Sequence, residues 1–270
     1  MYAINFEYDG IKLSDFGMMI CSFDSSNLET VSSGADITFN TIKSTGSNKF
    51  KFYGAKYEEA YTTTFQICKN TCQMNETYLE PSEVSGIQRW LCRKDGFHKF
   101  SIIQDSFKDI FWNATFSSKQ ILVCGRVVGL ELTMHTDAPY AYLNIDTISY
   151  SLDSGGSFSI YDMSDEIGYI YPMITINCNN KGTIQLKNSL DNKKITKLTV
   201  EKDETIILDG ENKIIQSTNN REDLASNFNY YFPRIINTFD CRENVFTLSS
   251  DSPVSCNITF SYNPIIKVGL

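Results

Sequence analysis

Asn5-Phe6-Glu7-Tyr8-Asp9-Gly10-Ile11, followed by Ser14-Asp15-Phe16-Gly17-Met18-Met19-Ile20-Cys21-Ser22-Phe23-Asp24, decides the fold class of this chain. Tyr2, Ile4, Phe6 and Tyr8 alternate with polar Asn5 and Glu7, the period-2 pattern of a strand with one buried face. Asp9-Gly10 then supplies the left-handed turn of a hairpin. Gly17 breaks the next run, and Met18-Met19-Ile20-Cys21 is too short for a helix and unbroken enough to lie against something on both faces. A stretch this apolar must find cover in a sheet or from another subunit.

The rest of the composition agrees with strands. The chain has 270 residues, room for one large β domain or two ordinary ones. Aromatic residues make up 13%, with 18 Phe and 15 Tyr, and Thr, Ile and Ser are abundant. These residues suit a pleated, half-buried surface and predict a mainly β protein. With 24 basic against 32 acidic residues the net charge is −8, and no basic run occurs. That argues against a nucleic-acid binder that works by neutralising phosphates, and no sequence-specific nucleic-acid partner is expected.

The eight cysteines, Cys21, Cys68, Cys72, Cys92, Cys124, Cys178, Cys241 and Cys256, are scattered through apolar stretches and read as reduced, buried thiols. The opening Met-Tyr-Ala-Ile-Asn-Phe-Glu has neither a basic nor an apolar leader region, so folding in the cytoplasm is expected. On that expectation the sequons at Asn75, Asn113 and Asn257 are chance matches. No stretch approaches 18 consecutive apolar residues, so no membrane span is expected.

After the opening hairpin, a polar connection over 27–36 leads to Ile37, Phe39 and Thr41, which alternate again. Ser44-Thr45-Gly46-Ser47-Asn48 has the composition of a loop tip, and Phe50-Lys51-Phe52-Tyr53 leads back as a strand, so an arm is predicted here. Tyr61, Thr63, Phe65 and Ile67 give one more strand. The one helix is predicted between Glu80 and Gly96, with Pro81 and Ser82 at its start and Val84, Ile87, Trp90 and Leu91 as its buried stripe.

Strands follow over 100–103, 110–116 and 120–134, the last interrupted by Gly125 and Gly129, which predict bulges or a bend. His135-Thr136-Asp137-Ala138-Pro139 marks a domain boundary. Beyond it, short strands at 143–150, 158–161, 173–177, 183–187, 197–200, 205–208, 213–216, 244–248 and 256–262 predict a sandwich or jelly roll. Asp209-Gly210 is its clearest hairpin turn.

Chemistry is sparse. His98 and His135 sit in no metal or base–nucleophile spacing, and Cys68-x-x-x-Cys72 lacks the second pair that a structural zinc site takes. Nucleophile-elbow, phosphate-loop and dinucleotide fingerprints are absent. Asp162, Asp165 and Glu166 lie in one polar stretch where a glycosidase pair could sit, but solvated surface carboxylates explain them more simply. Tyr169, Tyr171, Tyr230 and Tyr231 could stack on sugar rings, which makes a carbohydrate-binding, lectin-like sandwich the alternative reading. No catalytic residue, metal or cofactor is expected.

The run F-x-Y-D-G-I-x-L-S-D-F-G-M-x-I-C-S-F-D from Phe6 to Asp24 resembles the opening of the distal tail proteins of siphophages, the hub of the tail tip. Tyr231-Phe232-Pro233-Arg234-Ile235-Ile236-Asn237, Ser261-Tyr262-Asn263-Pro264, Val268-Gly269-Leu270 and Asp209-Gly210-Glu211-Asn212-Lys213-Ile214-Ile215 resemble that family's middle and end. The resemblance implies an N-terminal β-sandwich-like ring domain with one packed α-helix over residues 1–137. It also implies a C-terminal galectin-like β-sandwich over 138–270.

It further implies a non-enzymatic homohexameric ring with a channel for DNA. The ring would join the tail tube protein to the tape measure protein, the tail-associated lysin or tail fibre protein, and a receptor-binding protein. The implied location is the virion tail tip, after synthesis in the host cytoplasm. Phe6, Tyr8, Phe16, Met18, Met19 and Ile20 are the expected subunit-packing or core residues. The loop Ser44, Thr45, Gly46, Ser47 and Asn48 is the expected tube or partner contact.

Overall fold

The computed structural model describes residues 3–23, 34–71, 76–144, 146–219 and 221–270, except for the side chain of Asp146. Tyr2, Asp24, the 27–33 connection, Cys72 and the Asn75 sequon lie outside the described residues. The chain forms two units, Met1–Tyr142 together with Ile266–Leu270, and Leu143–Ile265. The chain thus leaves the first unit shortly after the boundary read at 137/138, and its last residues return to it. Within that unit the Leu270 N–H donates to Tyr61 Oη at 2.8 Å.

The first unit contains strands β1 (Phe6–Tyr8), β2 (Ile11–Lys12), β3 (Met18–Cys21), β4 (Ile37–Lys43), β5 (Phe50–Tyr57) and β6 (Thr62–Lys69). Then come helix α1 (Pro81–Leu91) and strands β7 (His98–Ile102), β8 (Ile110–Val123), β9 (Arg126–Thr136) and β10 (Ala141–Leu143). Its main sheet runs β2-β1-β7-β8-β9-β6-β3. Asp9 and Gly10 adopt φ of 52° and 77° and form the expected turn. The returning β2 is only two residues long, and a short 3-10 turn, Leu13–Phe16, carries the chain away.

Met18–Cys21 therefore does not pair with β1. It joins β6 at the opposite end of the sheet, where Met18 and Ile20 are buried and Met19 and Cys21 only half-buried. It has one buried face, not two. The path then curls back on itself, since the Ile20 N–H donates to the Ile4 carbonyl at 3.0 Å just ahead of β1. Ile4, expected on the buried face, is 65% exposed, and the neighbouring Ala3 is buried instead.

The helix buries Val84, Ile87, Trp90 and Leu91, the stripe its sequence spacing predicts, in the same core as Phe6, Tyr8 and Phe116. Pro81 starts it. The Glu83 carboxylate accepts the Glu80 N–H at 2.7 Å and satisfies one of the free donors of the first turn. It ends at Leu91, before Gly96. The run 120–134 is not one interrupted strand. Cys124 and Gly125, at φ of 50° and 77°, turn β8 back into β9, and a register shift at Ile121/Leu122 sits opposite Gly129.

The second unit contains β11 (Asp146–Asp153), β12 (Ser157–Tyr161), β13 (Gly168–Ile170), β14 (Met173–Cys178), β15 (Gly182–Asn188), β16 (Ile195–Val200) and β17 (Thr205–Asp209). They are followed by β18 (Ile214–Ser217), β19 (Ile235–Asn237), β20 (Glu243–Ser250) and β21 (Ser255–Tyr262), and β22 (Ile265–Ile266) marks the return to the first unit. Sheets β11-β21-β14-β17-β18 and β12-β20-β15-β16 share one core. Alternate residues such as Ile174, Ile176, Ile258 and Phe260 from the first sheet meet Phe158, Ile184, Leu186 and Phe246 from the second.

The Asp209 carboxylate accepts the N–H groups of Glu211 and Asn212 at 3.1 and 2.9 Å, which shapes the hairpin between β17 and β18. The cysteine expectation is corrected here. Cys178 and Cys256 are directly opposed on β14 and β21 with Cα atoms 4.2 Å apart, and they are joined as a disulfide. Scatter along the sequence hid a pairing that the sheet register creates. Cys124 is also not buried, because it occupies an exposed hairpin turn.

Candidate assembly surface

Among the described residues, strands β4 and β5 pair only with each other and form a two-stranded sheet of their own. Their pairing places Ile37 opposite Tyr57, Phe39 opposite Ala55, Thr41 opposite Phe52 and Lys43 opposite Phe50. The register shifts after Asn40, leaving Tyr53 as an extra residue beside Gly54, whose φ is 135°. That bulge brings Phe50 and Phe52 to the face that carries Ile37 and Phe39, and the Phe39 and Phe52 rings lie 6.4 Å apart. The opposite face carries Thr38, Asn40, Lys51 and Lys56, with Ile42 the one large apolar side chain among them.

The two faces of this arm differ, and its aromatic face is left open by the described residues. Phe39, Phe50 and Phe52 are 63%, 66% and 64% exposed. Isolated two-stranded hairpins are marginal in water, and clustered exposed aromatics mark an interaction surface. The tip Ser44–Asn48, expected as a partner contact, closes this arm, with a Ser47 N–H to Ser44 carbonyl bond of 3.1 Å. Sequence reading predicted the arm and named its tip as the contact, but did not single out the exposed aromatics of its shaft. The signal available was that Ile37 and Phe39 alternate like core residues while the whole segment is flanked by polar connections.

The other expected contact residues lie deeper. Phe6, Tyr8, Met18 and Ile20 are buried in the core of their own unit, and Phe16 packs against it. Trp90 organises them: its ring stacks on Phe16 at 4.7 Å and on Phe6 at 5.7 Å, and its Nε1–H donates to the Tyr8 carbonyl at 3.1 Å. Met19 lies half-exposed on the outer side of β3. The sequence left core packing open beside interface packing for these six residues, and Met19 and Phe16 alone keep much surface to offer.

In the second unit the acidic stretch divides. Asp162 is buried and accepts from the Ser164 N–H and hydroxyl at 3.2 and 2.8 Å, whereas Asp165 is exposed. Asp162 is thereby consumed in shaping its own turn. Asp191, buried, binds the Arg234 guanidinium and the Tyr231 hydroxyl, with Arg234 Nε 3.3 Å away. Burial first, and then the hydrogen bond to the Asp191 carboxylate and its charge, push the Tyr231 phenol well above its ordinary value.

Of the tyrosines considered for sugar stacking, Tyr169 and Tyr230 are each 56% exposed, and Tyr169 and Tyr171 have a cation over one ring face. Arg234 lies over Tyr169 at 4.5 Å, and Lys213 over Tyr171 at 3.1 Å. Among the described residues, no group of three or more His, Cys, Asp and Glu could hold a metal ion, and no helix is long and apolar enough to cross a membrane.

A family model described as a phage tail protein N-terminal domain matches residues 1–138, and one described as a phage tail C-terminal domain matches residues 140–262. Among solved structures the chain is similar to the Dit protein of phage SPP1, described as a paradigm of the hub adsorption apparatus in phages that infect Gram-positive bacteria. The TM-score is 0.63 at 10% identity, over 96% of this chain and 99% of that chain. No curated protein matches in sequence.

Proposed function

Because the chain belongs to the phage tail protein family, whose two domain models together span residues 1–138 and 140–262, we propose that it is the structural hub of a siphophage tail tip. Six copies form a ring that joins the tail tube to the tail fibre or lysin and leaves a channel for DNA. The observation that carries this reading is the likeness in fold, across nearly the whole of both chains, to a protein described as an adsorption hub.

The exposed arm fits the reading. A ring needs a head-to-tail contact between two different surfaces of one chain, and a hairpin with an open aromatic face can supply one of them. The Ser44–Asn48 tip and the half-exposed Met19 and Phe16 are the contacts assigned to neighbouring copies or to the tube. Six weak contacts closed into a ring add through effective concentration, so function here is geometry with no catalytic step.

The second unit, of galectin-like form in this reading, holds the adhesion components: the receptor-binding protein and the tail-associated lysin or tail fibre. The tape measure protein ends at the ring. The lectin alternative has Tyr169 and Tyr230 exposed but loses one ring face each of Tyr169 and Tyr171 to Arg234 and Lys213. Light scattering of the purified chain with negative-stain images of the same peak tests the reading. Six-fold rings with an open centre are expected, and a monomer at every concentration, with specific signals on a glycan array, would favour the lectin.

A further inference from the structure

The arm Ile37–Tyr57 differs from the rest of the chain in charge as well as in exposure. Lys43, Lys49, Lys51 and Lys56 are its only ionisable side chains apart from tyrosine, in a protein of net charge −8. Lys56 pairs with Glu58 at 3.1 Å, and among the described residues no carboxylate of the same chain pairs with Lys43, Lys49 or Lys51. These three cluster at the outer end of the arm: Lys43 is opposite Phe50 on the aromatic face, Lys51 is opposite Ile42 on the other face, and Lys49 lies at the tip just ahead of β5. Outside the arm, carboxylates outnumber lysines and arginines in the first unit.

We propose that Lys43, Lys49 and Lys51 dock the arm onto a carboxylate-bearing surface of a second copy of this chain, so that ring assembly is set by ionic strength. The inference rests on the ring reading above and adds to it the chemistry of the partner surface. An apolar face alone would attract any exposed apolar patch. A cationic outer end on an anionic molecule selects an acidic one and disfavours arm-to-arm pairing, where like charges would meet. Arms that paired with each other would give closed dimers, whereas arms that seek the body of the next copy give a head-to-tail ring. The lysines are exposed, so salt screens them, with a Debye length of about 10 Å at 0.1 M.

The experiment follows assembly of the full chain by light scattering in about 50 mM and about 500 mM NaCl, conditions across which exposed pairs become largely screened. The concentration for half-assembly is expected to rise about tenfold or more at the higher salt. Lys43→Gln/Lys49→Gln/Lys51→Gln is expected to assemble poorly at both salts and to lose the dependence. Phe39→Ser/Phe52→Ser is expected to weaken assembly and keep it. Rings that form equally at both salts overturn the proposal and leave the hub reading intact. A wild-type chain that never forms rings overturns both. A triple-lysine variant that assembles normally but loses binding to duplex DNA assigns the lysines to phosphate and overturns the proposal.

Discussion

Trp90 Nε1–H donates to the main-chain carbonyl of Tyr8 across 82 residues of sequence, at 3.1 Å, in a buried setting. This bond ties the single described helix to the first strand. It also fixes the ring that stacks on Phe6 and Phe16.

Truncation of that side chain separates its two roles. Trp90→Ala removes both the packing and the bond and is expected to cost about 3–5 kcal/mol. Trp90→Phe keeps most of the packing and removes one buried hydrogen bond, for about 0.5–1.5 kcal/mol. Urea unfolding of the two variants measures the difference. Equal losses would mean that the bond, not the ring, dominates.

The helix was legible because its stripe, Val84, Ile87, Trp90 and Leu91, obeys a local period, and local periods can be read from one chain. The short strands of the second unit were legible for the same reason, from Phe158 to Tyr262. What escaped was set by partners distant in sequence. Met18–Cys21 follows a hairpin turn yet pairs with β6, because the sheet curls round to meet it, and nothing in the four residues encodes that. The Cys178–Cys256 disulfide and the small β13–β19 ribbon also depend on register between remote strands. The arm was half legible: its alternation showed strands, but a period-2 pattern does not say whether the covering surface belongs to the same chain.

Lys69 and Glu83 give a stability term at each end of the pH scale. Burial by itself raises Glu83, but the Lys69 ammonium at 2.9 Å and the Glu80 N–H outweigh it and hold the carboxyl below its ordinary value. Burial lowers Lys69, and the Glu83 and Glu76 carboxylates outweigh that and raise it. Glu83 therefore contributes stability that is full above about pH 4.3 and is lost as pH falls through its lowered folded value. Lys69 contributes stability that is full below about pH 10.4 and is lost as pH rises through its raised one. In melting curves across pH, Glu83→Gln should lower the neutral plateau and flatten both limbs relative to wild type. An unchanged acid limb would remove Glu83 from the account.

The disulfide between Cys178 and Cys256 closes a loop with a sequence separation of 78 between the two central strands β14 and β21. Cross-links of that span restrict the unfolded chain, an effect of about 2–4 kcal/mol. Cys178→Ala/Cys256→Ala should therefore melt lower, and the wild type should shift towards it in a reductant strong enough to reach buried sulfur. Alkylation under denaturing conditions followed by mass spectrometry identifies which cysteines are protected. Labelling of both in the unreduced protein would contradict the bridge.

Gly129 shows how one absent side chain positions the outer face of the first unit. A Cβ at this position would lie 2.5 Å from the Ile67 carbonyl oxygen and 2.7 Å from the Phe23 ring, where the chain crosses β9. The ring can swing away, but the carbonyl belongs to β6, which pairs with β9 through Leu130 and Ile67 and cannot retreat without breaking that ladder. Gly129→Ala is accordingly expected to cost about 1–3 kcal/mol by overpacking. Adding Phe23→Ala should recover only part of it, because the backbone clash remains. Denaturant midpoints of the single and double variants decide the matter: full recovery would place the whole constraint in the ring, and no loss at all would mean that β6 and β9 are free to separate at this point.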